Sequence, residues 1–363
     1  MEYSWDFGDT STTNNYSFSH PVDSTTMFAN IDQKGPEAVY LYKTPGVYTI
    51  TLNARAWNGT NYVTSSTTKT VTINAWSGQD RYFDQTSGND TNNGLTPATA
   101  WKTWGKLKVW LNADNRKALI KRGDTLMITS GFVTKKSNIR MGAYGTGADP
   151  VLKIDSSFSN VRIIFLNGTG VHIENHFYSN ITFDGNFATN SQTFFAYTNP
   201  TGSMNDVVFA NCNFINTTYI ISGEKYCTSF LVWDCNIDSK MRHGQGIYAV
   251  RAPYFSVIGG VHKGGNGHII LDHHMYINKS NHALIRWVKF GYAASRNFCL
   301  NMNCTQIYGD YTKYTLIDGC DITGTMNGID FSNSYNDPAL GQFKNVIVQN
   351  CAMHDLYGFK LRS

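Results

Sequence analysis

Histidine is unevenly spread along this 363-residue chain. Six of the ten, His243, His262, His268, His273, His274 and His282, fall within 40 residues. The same stretch holds Arg242, Arg251, Lys263, Asp272 and Arg286. An imidazole can take up a proton near pH 7, and a guanidinium or ammonium can neutralise a carboxylate on a substrate. Together they suit removal of a proton next to a carboxylate. His243, His273 or Tyr248 is then the candidate base, and Arg242, Arg251 or Lys263 the candidate cation. The bland alternative is an incidental cluster on a surface. A metal centre is not signalled, because His273-His274 with Asp272 lacks ligand spacing. No cofactor is expected, and no motif asks for Ca2+.

The elements that must position these residues come from a repeat. Ile181-Thr182-Phe183-Asp184-Gly185-Asn186-Phe187 aligns with Val208-Phe209-Ala210-Asn211-Cys212-Asn213-Phe214. Further copies run through Leu231 to Ile237, Val257 to His262, Thr315 to Ile322 and Val346 to Met353, with Ile285 to Phe290 a looser one. Their shared position is 185, 212, 235, 260, 288, 320 and 351, at intervals of 23 to 32 residues. A second strand repeats in step at 246–249, 268–271, 298–301, 328–331 and 358–361. Two strands per period of this length define a parallel β-solenoid. Coils rise ~4.8 Å each, so seven span roughly 35 Å. The shared position, mostly Cys or Gly, is expected to face inward, with buried free thiols. Asp184, Asn211, Asp234, Gly259, Gly319 and Asn350 precede it, as a turn column of residues that tolerate left-handed backbone.

On the second strand, Ile247/Ala249, Ile269/Leu271 and Ile329/Phe331 are expected to face in. Tyr248, Asp272, Asn301 and Asp330 then face out. Asp272, Asn301, Asp330 and Arg286 are the candidate contacts to a bound chain. Hydrolysis would need two carboxylates at a set separation. Asp272 and Asp330 would stand roughly 10 Å apart across two coils, which is wide.

Upstream lies Gly88-Asn89-Asp90-Thr91-Asn92-Asn93-Gly94-Leu95-Thr96-Pro97-Ala98-Thr99-Ala100-Trp101-Lys102-Thr103. Thr96 can cap a helix with Pro97 at its first position. Trp101, Trp104, Leu107, Val109, Trp110 and Leu111 would line its apolar face. The segment resembles the opening of right-handed parallel β-helix proteins of the pectate-lyase-like kind, where such a sequence precedes a capping helix. That resemblance implies binding of long polysaccharides on a lateral face. The polygalacturonase motifs Asn-Thr-Asp, Gly-His-Gly and Arg-Ile-Lys are missing, so no catalytic residue carries across.

Residues 1–75 read differently. Trp5-Asp6-Phe7-Gly8-Asp9 and Tyr42-Lys43-Thr44-Pro45-Gly46-Val47-Tyr48 resemble the PKD domain, an immunoglobulin-like module. The resemblance implies a β-sandwich that serves as a spacer or adhesive module on extracellular proteins. The PKD family has about two strands ahead of its Trp-Asp-Phe-Gly-Asp element, and here almost none precede it. Gly358 to Ser363 match a strand of one more coil. The reading therefore expects more chain upstream, and more chain or a partner beyond residue 363.

Composition agrees with an all-β reading. Charged residues are 15%, hydrophobic ones 41% and aromatic ones 14%. Such a chain is too apolar and aromatic to be disordered, and no run of ~18 apolar residues spans a membrane. Residues 1–75 carry net −2 and the rest +6, for +4 in all. The basic part lacks the clustered Lys and Arg that nucleic acid requires. Seven cysteines, none before Cys212 and none in a CxxC pair, make neither a disulfide framework nor a zinc site.

The expectation is a PKD-like sandwich over 1–75, then a right-handed parallel β-helix with an N-terminal capping helix over 80–363. The expected function is binding of a polysaccharide by an extracellular, cell-surface or virion protein, extending to lyase-like cleavage. The alternatives are a non-enzymatic structural or adhesive protein and a self-associating, tailspike-like receptor-binding protein.

Overall fold

The computed structural model describes residues 1–10, 16–158, 162–167, 170–186, 193–198, 203–216, 219–224, 227–239, 245–250, 252–264, 273–278, 280–291, 300–303, 313–323, 329–332 and 344–355. From Gln79 onward the chain winds through three parallel sheets, A, B and C, in turn. Sheet A has ten strands, from Gln79–Phe83 to Lys344–Gln349. Sheet B has nine, from Thr125–Ile128 to Ala352–His354, and sheet C eight, from Phe132–Thr134 to Ile329–Ser332. Each strand pairs with the equivalent strand of the next coil, so like positions stack in rows. One continuous core fills the centre, from Phe83 and Leu107 to Ile317, Ile322 and Ile329. Among the described residues, no helix is long and apolar enough to cross a membrane.

The short turn between sheets A and B shows how sequence sets the winding. Asn180, Asn211, Asp234, Gly259, Gly319 and Asn350 all have φ between 49° and 66°. Asn, Asp and Gly enter this left-handed region at least cost. The next residue points inward, where Cys212, Cys235 and Cys320 are fully buried. The N–H of Cys212 donates to Cys235 Sγ at 3.4 Å, and that of Cys320 to Cys351 Sγ at 3.4 Å. Gly260 shares the column at φ +81°, and a Cβ there would lie 2.0 Å from the Cys235 carbonyl oxygen. The first copy of the repeat is displaced by four residues from its expected place. Thr182 pairs with Asn213, so Ile181 takes the column position and Asn180 the turn. Asp184-Gly185 mimics the turn chemistry without making that turn.

The expected single helix is two pieces. Thr96 caps a 3-10 turn at Pro97–Thr99, and Thr103 caps an α-helix at Trp104–Leu111. Between them Trp101 runs extended beside Phe83. Asp90 fixes the second start by accepting from the N–H groups of Lys102 and Thr103 and from the Thr103 hydroxyl. Gly88 is required here, since a Cβ would sit 2.3 Å from the Asp84 carbonyl oxygen. Trp104, Leu107 and Leu111 enter the solenoid core, whereas Val109 points to solvent. Positions 104, 107 and 111 share one face at 3.6 residues per turn, and 109 lies opposite.

Residues 2–73 form an antiparallel three-stranded sheet, Glu2–Asp6, Gly46–Trp57 and Tyr62–Ile73, with a small ribbon of Ser17–Ser19 and Thr26–Phe28. The segment lies against the outer face of sheet A. Phe7, Phe18, Ala29 and Tyr40 share one cluster with Leu231, Trp233, Leu284, Trp287 and Leu316. Trp233 is fully buried, with Tyr16 at 4.9 Å, Phe18 at 5.5 Å and Tyr40 at 6.1 Å between ring centroids. Sheet A thus supplies apolar surface that a free-standing sandwich would take from a second sheet of its own.

Candidate functional site

Sheet C brings together the largest group of candidate residues. In Gln245–Val250, Ile247 and Ala249 are buried, which turns Tyr248 outward. In the next coil, Met275 and Ile277 are buried and Tyr276 faces out. The rings of Tyr248 and Tyr276 stack at 5.1 Å with an interplanar angle of 12°. Asn278 Nδ2 donates to the Tyr276 hydroxyl at 3.2 Å. Backbone register carries the same row on through Asn301 and Asp330. In the other direction it runs to Ser222, Ala196 and Phe165. Tyr248 to Asp330 spans three coil steps, about 14 Å. Such a row of polar and aromatic positions can follow an extended polymer lying along the solenoid axis.

His273 opens the strand His273–Asn278, its backbone paired with Gln245. Arg242, His243, Arg251 and Asp272 lie outside the described residues. In sequence, 242 and 243 lead into the strand of Tyr248, 251 follows it, and 272 leads into the strand of Tyr276.

Two candidates stand on other faces. Lys263 is exposed on sheet B, with its Nζ 3.6 Å from Asp238. It belongs to a ladder with Lys153–Asp184 at 3.5 Å and Lys289–Asp321 at 3.7 Å. Arg286 lies on sheet A and is fully buried beneath the N-terminal segment. Its Nε donates to Asp318 at 2.9 Å and its Nη1 to Gln33 Oε1 at 2.8 Å, while Nη2 donates to the Lys34 carbonyl. Arg286 is therefore an internal bridge, out of reach of a polymer on sheet C.

Among the clustered histidines, His243 and His268 lie outside the described residues, and His262, His274 and His282 stand on three different sheets. His262 occupies the inward row of sheet B, beside Ile237 and Phe290, and neither ring nitrogen has a hydrogen-bond partner. Its ring meets Phe290 edge-on at 5.5 Å. His274 is buried nearby, with Nε2 3.0 Å from the Gly291 carbonyl oxygen. Burial pushes His274 down to about 4. Burial, helped by nearby His274, pushes His262 down to about 3. Both rings are neutral at pH 7. His282 sits on sheet A with Nδ1 2.7 Å from Glu37.

Tyr276, stacked on Tyr248, is a candidate that the sequence reading does not name. The strand was expected at 268–271, but Met275 and Ile277 pair with Ile247 and Ala249. The alternation Met275-Tyr276-Ile277-Asn278 was the available signal. Ile269 and Leu271, expected to face inward, lie outside the described residues.

A solved structure of similar fold is found, with weaker matches beside it. An endo-xylogalacturonan hydrolase from Aspergillus tubingensis matches with a TM-score of 0.56 and 12% identity, over 78% of this chain and 77% of that one. A GH136 lacto-N-biosidase from Eubacterium ramulus matches at 0.39 and 10% identity, over 77% and 68%. The A-module of a mannuronan C-5 epimerase from Azotobacter vinelandii matches at 0.26 and 11% identity, over 68% and 91%. No protein-family model matches the chain, and no curated protein sequence does. The likeness to the hydrolase is one of fold, and with the three stacked sheets it defines a right-handed parallel β-helix protein.

Proposed function

We propose that this chain binds a polysaccharide along the outer face of sheet C and cleaves it there. The observation that carries the reading is the Tyr248–Tyr276 stack, in one register row with Asn301 and Asp330. A hydrolase of the same fold acts, by its name, on xylogalacturonan. Fold alone does not fix chemistry, so the reaction rests on residue types. For a uronate-containing chain, elimination needs a base at C5 and a cation at the carboxylate. His243, His273 or Tyr248 fills the first role and Arg242 or Arg251 the second. Lys263 and Arg286, on other faces, drop out of this assignment.

The remaining assignments follow from this reading. Residues 1–75 act as a PKD-like module on a secreted, cell-surface or virion protein. Support comes from its two sequence elements meeting in space. The Tyr42 hydroxyl donates to the Phe7 carbonyl at 2.7 Å, and that of Tyr40 to Asp9 at 2.8 Å. The helix Trp104–Leu111 serves as the cap of the β-helix, supported by the three side chains it sends into the core.

The test is incubation with polygalacturonate, alginate and a neutral xylan, read by ultraviolet absorbance of unsaturated uronate and by new reducing ends. Absorbance with new ends supports elimination. New ends without absorbance replace it with hydrolysis. Absence of both signals removes the enzyme reading and leaves an adhesive or receptor-binding protein, to be tested by glycan binding.

A further inference from the structure

A second column of left-handed residues runs along the start of the sheet A strands. Asn138, Asn175, Asp206, Ser229, Tyr254, His282, Tyr314 and Asn345 have φ between 54° and 60°. Five of these are small and polar, the types that accept this backbone cheaply. Three successive coils instead carry Tyr254, His282 and Tyr314; His is among the types enriched at positive φ, but a bulky tyrosine there is an outlier that needs an explanation. Their rings stack, Tyr254 on His282 at 5.0 Å and His282 on Tyr314 at 4.8 Å, with interplanar angles of 11° and 15°. The two tyrosines remain 53% and 45% exposed. Strained, exposed aromatic residues stacked in line are poorly explained by core packing.

The stack borders two clefts against the N-terminal segment. One, of about 360 Å³, includes Tyr254, His282 and Glu37 in its lining. The other, of about 1150 Å³, includes Tyr314, Asn345 and the same Glu37. Glu37 is held to His282 at 2.7 Å, so the two clefts meet at this pair. The larger cleft is walled by neutral polar groups such as Ser4, Asn53, Thr64 and Asn345. Its charged side chains are Glu2 and Glu37 against Lys34 and Arg55, which balance. From Asp206 to Asn345 the column covers five coil steps, about 24 Å.

We propose that this groove is a second carbohydrate site, separate from sheet C, that takes a neutral oligosaccharide. Aromatic rings offer apolar faces and edges to sugar C–H groups, and the hydroxyl and amide side chains offer hydrogen bonds to sugar hydroxyls. The charge balance and the placement of Glu37 at the junction disfavour a polyanion. The groove sits on sheet A and the Tyr248 row on sheet C, so neither site depends on the other.

The test exploits the backbone. Asn suits positive φ better than Tyr, so Tyr254→Asn and Tyr314→Asn should preserve the fold or raise its stability. The full chain is titrated by calorimetry with short neutral oligosaccharides of glucan, mannan, xylan and galactan type, and with oligogalacturonate. At least one neutral oligosaccharide should bind. The double Asn variant should bind it at least about tenfold more weakly, a loss of about 1.4 kcal/mol, with an unchanged or higher thermal midpoint. Tyr248→Ala should leave this binding intact. The proposal is overturned if no neutral oligosaccharide binds, if the double variant binds as the wild type does, or if it loses stability sharply, which would make the stack a structural strut.

Discussion

Arg286 and Asp318, one coil apart on sheet A, form an ion pair of 2.9 Å that is sealed from solvent by the N-terminal segment. Asp318 also accepts from Gln349 Nε2 at 3.2 Å and Asn350 Nδ2 at 2.8 Å. A buried pair of this kind is weak evidence of net stabilisation, because both ions lose their water. Removing one partner is another matter, since the remaining charge stays buried. Arg286→Ala should therefore cost about 3–5 kcal/mol in urea unfolding. It should also free Gln33 and Lys34 from sheet A, read as faster hydrogen exchange at residues 33–37. A loss below about 1 kcal/mol would show that the pair does not tie the two parts together.

Acid should destabilise the fold through its buried imidazoles. His176, His262 and His274 are held by burial at about 4, 3 and 4, below the ordinary 6.5. The unfolded chain protonates these groups first as pH falls. Their contribution is thus intact above pH 6.5 and is lost progressively as pH drops towards 4. The slope from the three together reaches about 4 kcal/mol per pH unit. His262 offers the sharpest comparison, because its nitrogens have no hydrogen-bond partners. His262→Leu should remove about one third of that slope and stabilise the protein at pH 7 by about 1 kcal/mol or more. Urea midpoints of both proteins from pH 7 to pH 4.5 check this. Parallel pH profiles would contradict it.

Gly260 should tolerate no side chain. At φ +81°, with a Cβ position 2.0 Å from the Cys235 carbonyl oxygen, alanine would collide with the backbone of the preceding coil. Gly260→Ala should lower stability by about 2–4 kcal/mol. Gly123 is the control, since it has positive φ but no neighbour within 4 Å, and Gly123→Ala should cost only about 1 kcal/mol. Equal losses at the two positions would refute the close-packed turn column.

The solenoid was legible because one physical constraint repeats. Each coil must turn from sheet A to sheet B, and Asn211, Asp234, Gly259, Gly319 and Asn350 record that turn. The first copy slipped because Asp184-Gly185 carries the same chemistry four residues away from Asn180. The strand of sheet C was misplaced because His268 to Leu271 looks more apolar than His273 to Asn278. Only pairing with Ile247 and Ala249 decides between them. The docking of the N-terminal segment had a signal that went unused. Phe230-Leu231-Val232-Trp233 is apolar without alternation, the mark of a strand covered on both faces. Among the described residues the histidine cluster is spread over three sheets, because closeness along the chain is not closeness in space in a solenoid. His262 and His274 enter the interior, and His282 faces Glu37.

The central claim is that sheet C is the polysaccharide face. It is tested most directly by affinity and product formation with the best substrate from the acidic panel, comparing wild type with Tyr248→Ala, Tyr276→Ala and the Lys263→Ala control. Each tyrosine substitution should weaken binding by about threefold to tenfold, in line with about 0.5–1.5 kcal/mol for loss of an aromatic contact. Product formation should fall with it, and Lys263→Ala, on sheet B, should change neither. Wild-type binding and turnover in both tyrosine variants would contradict the account.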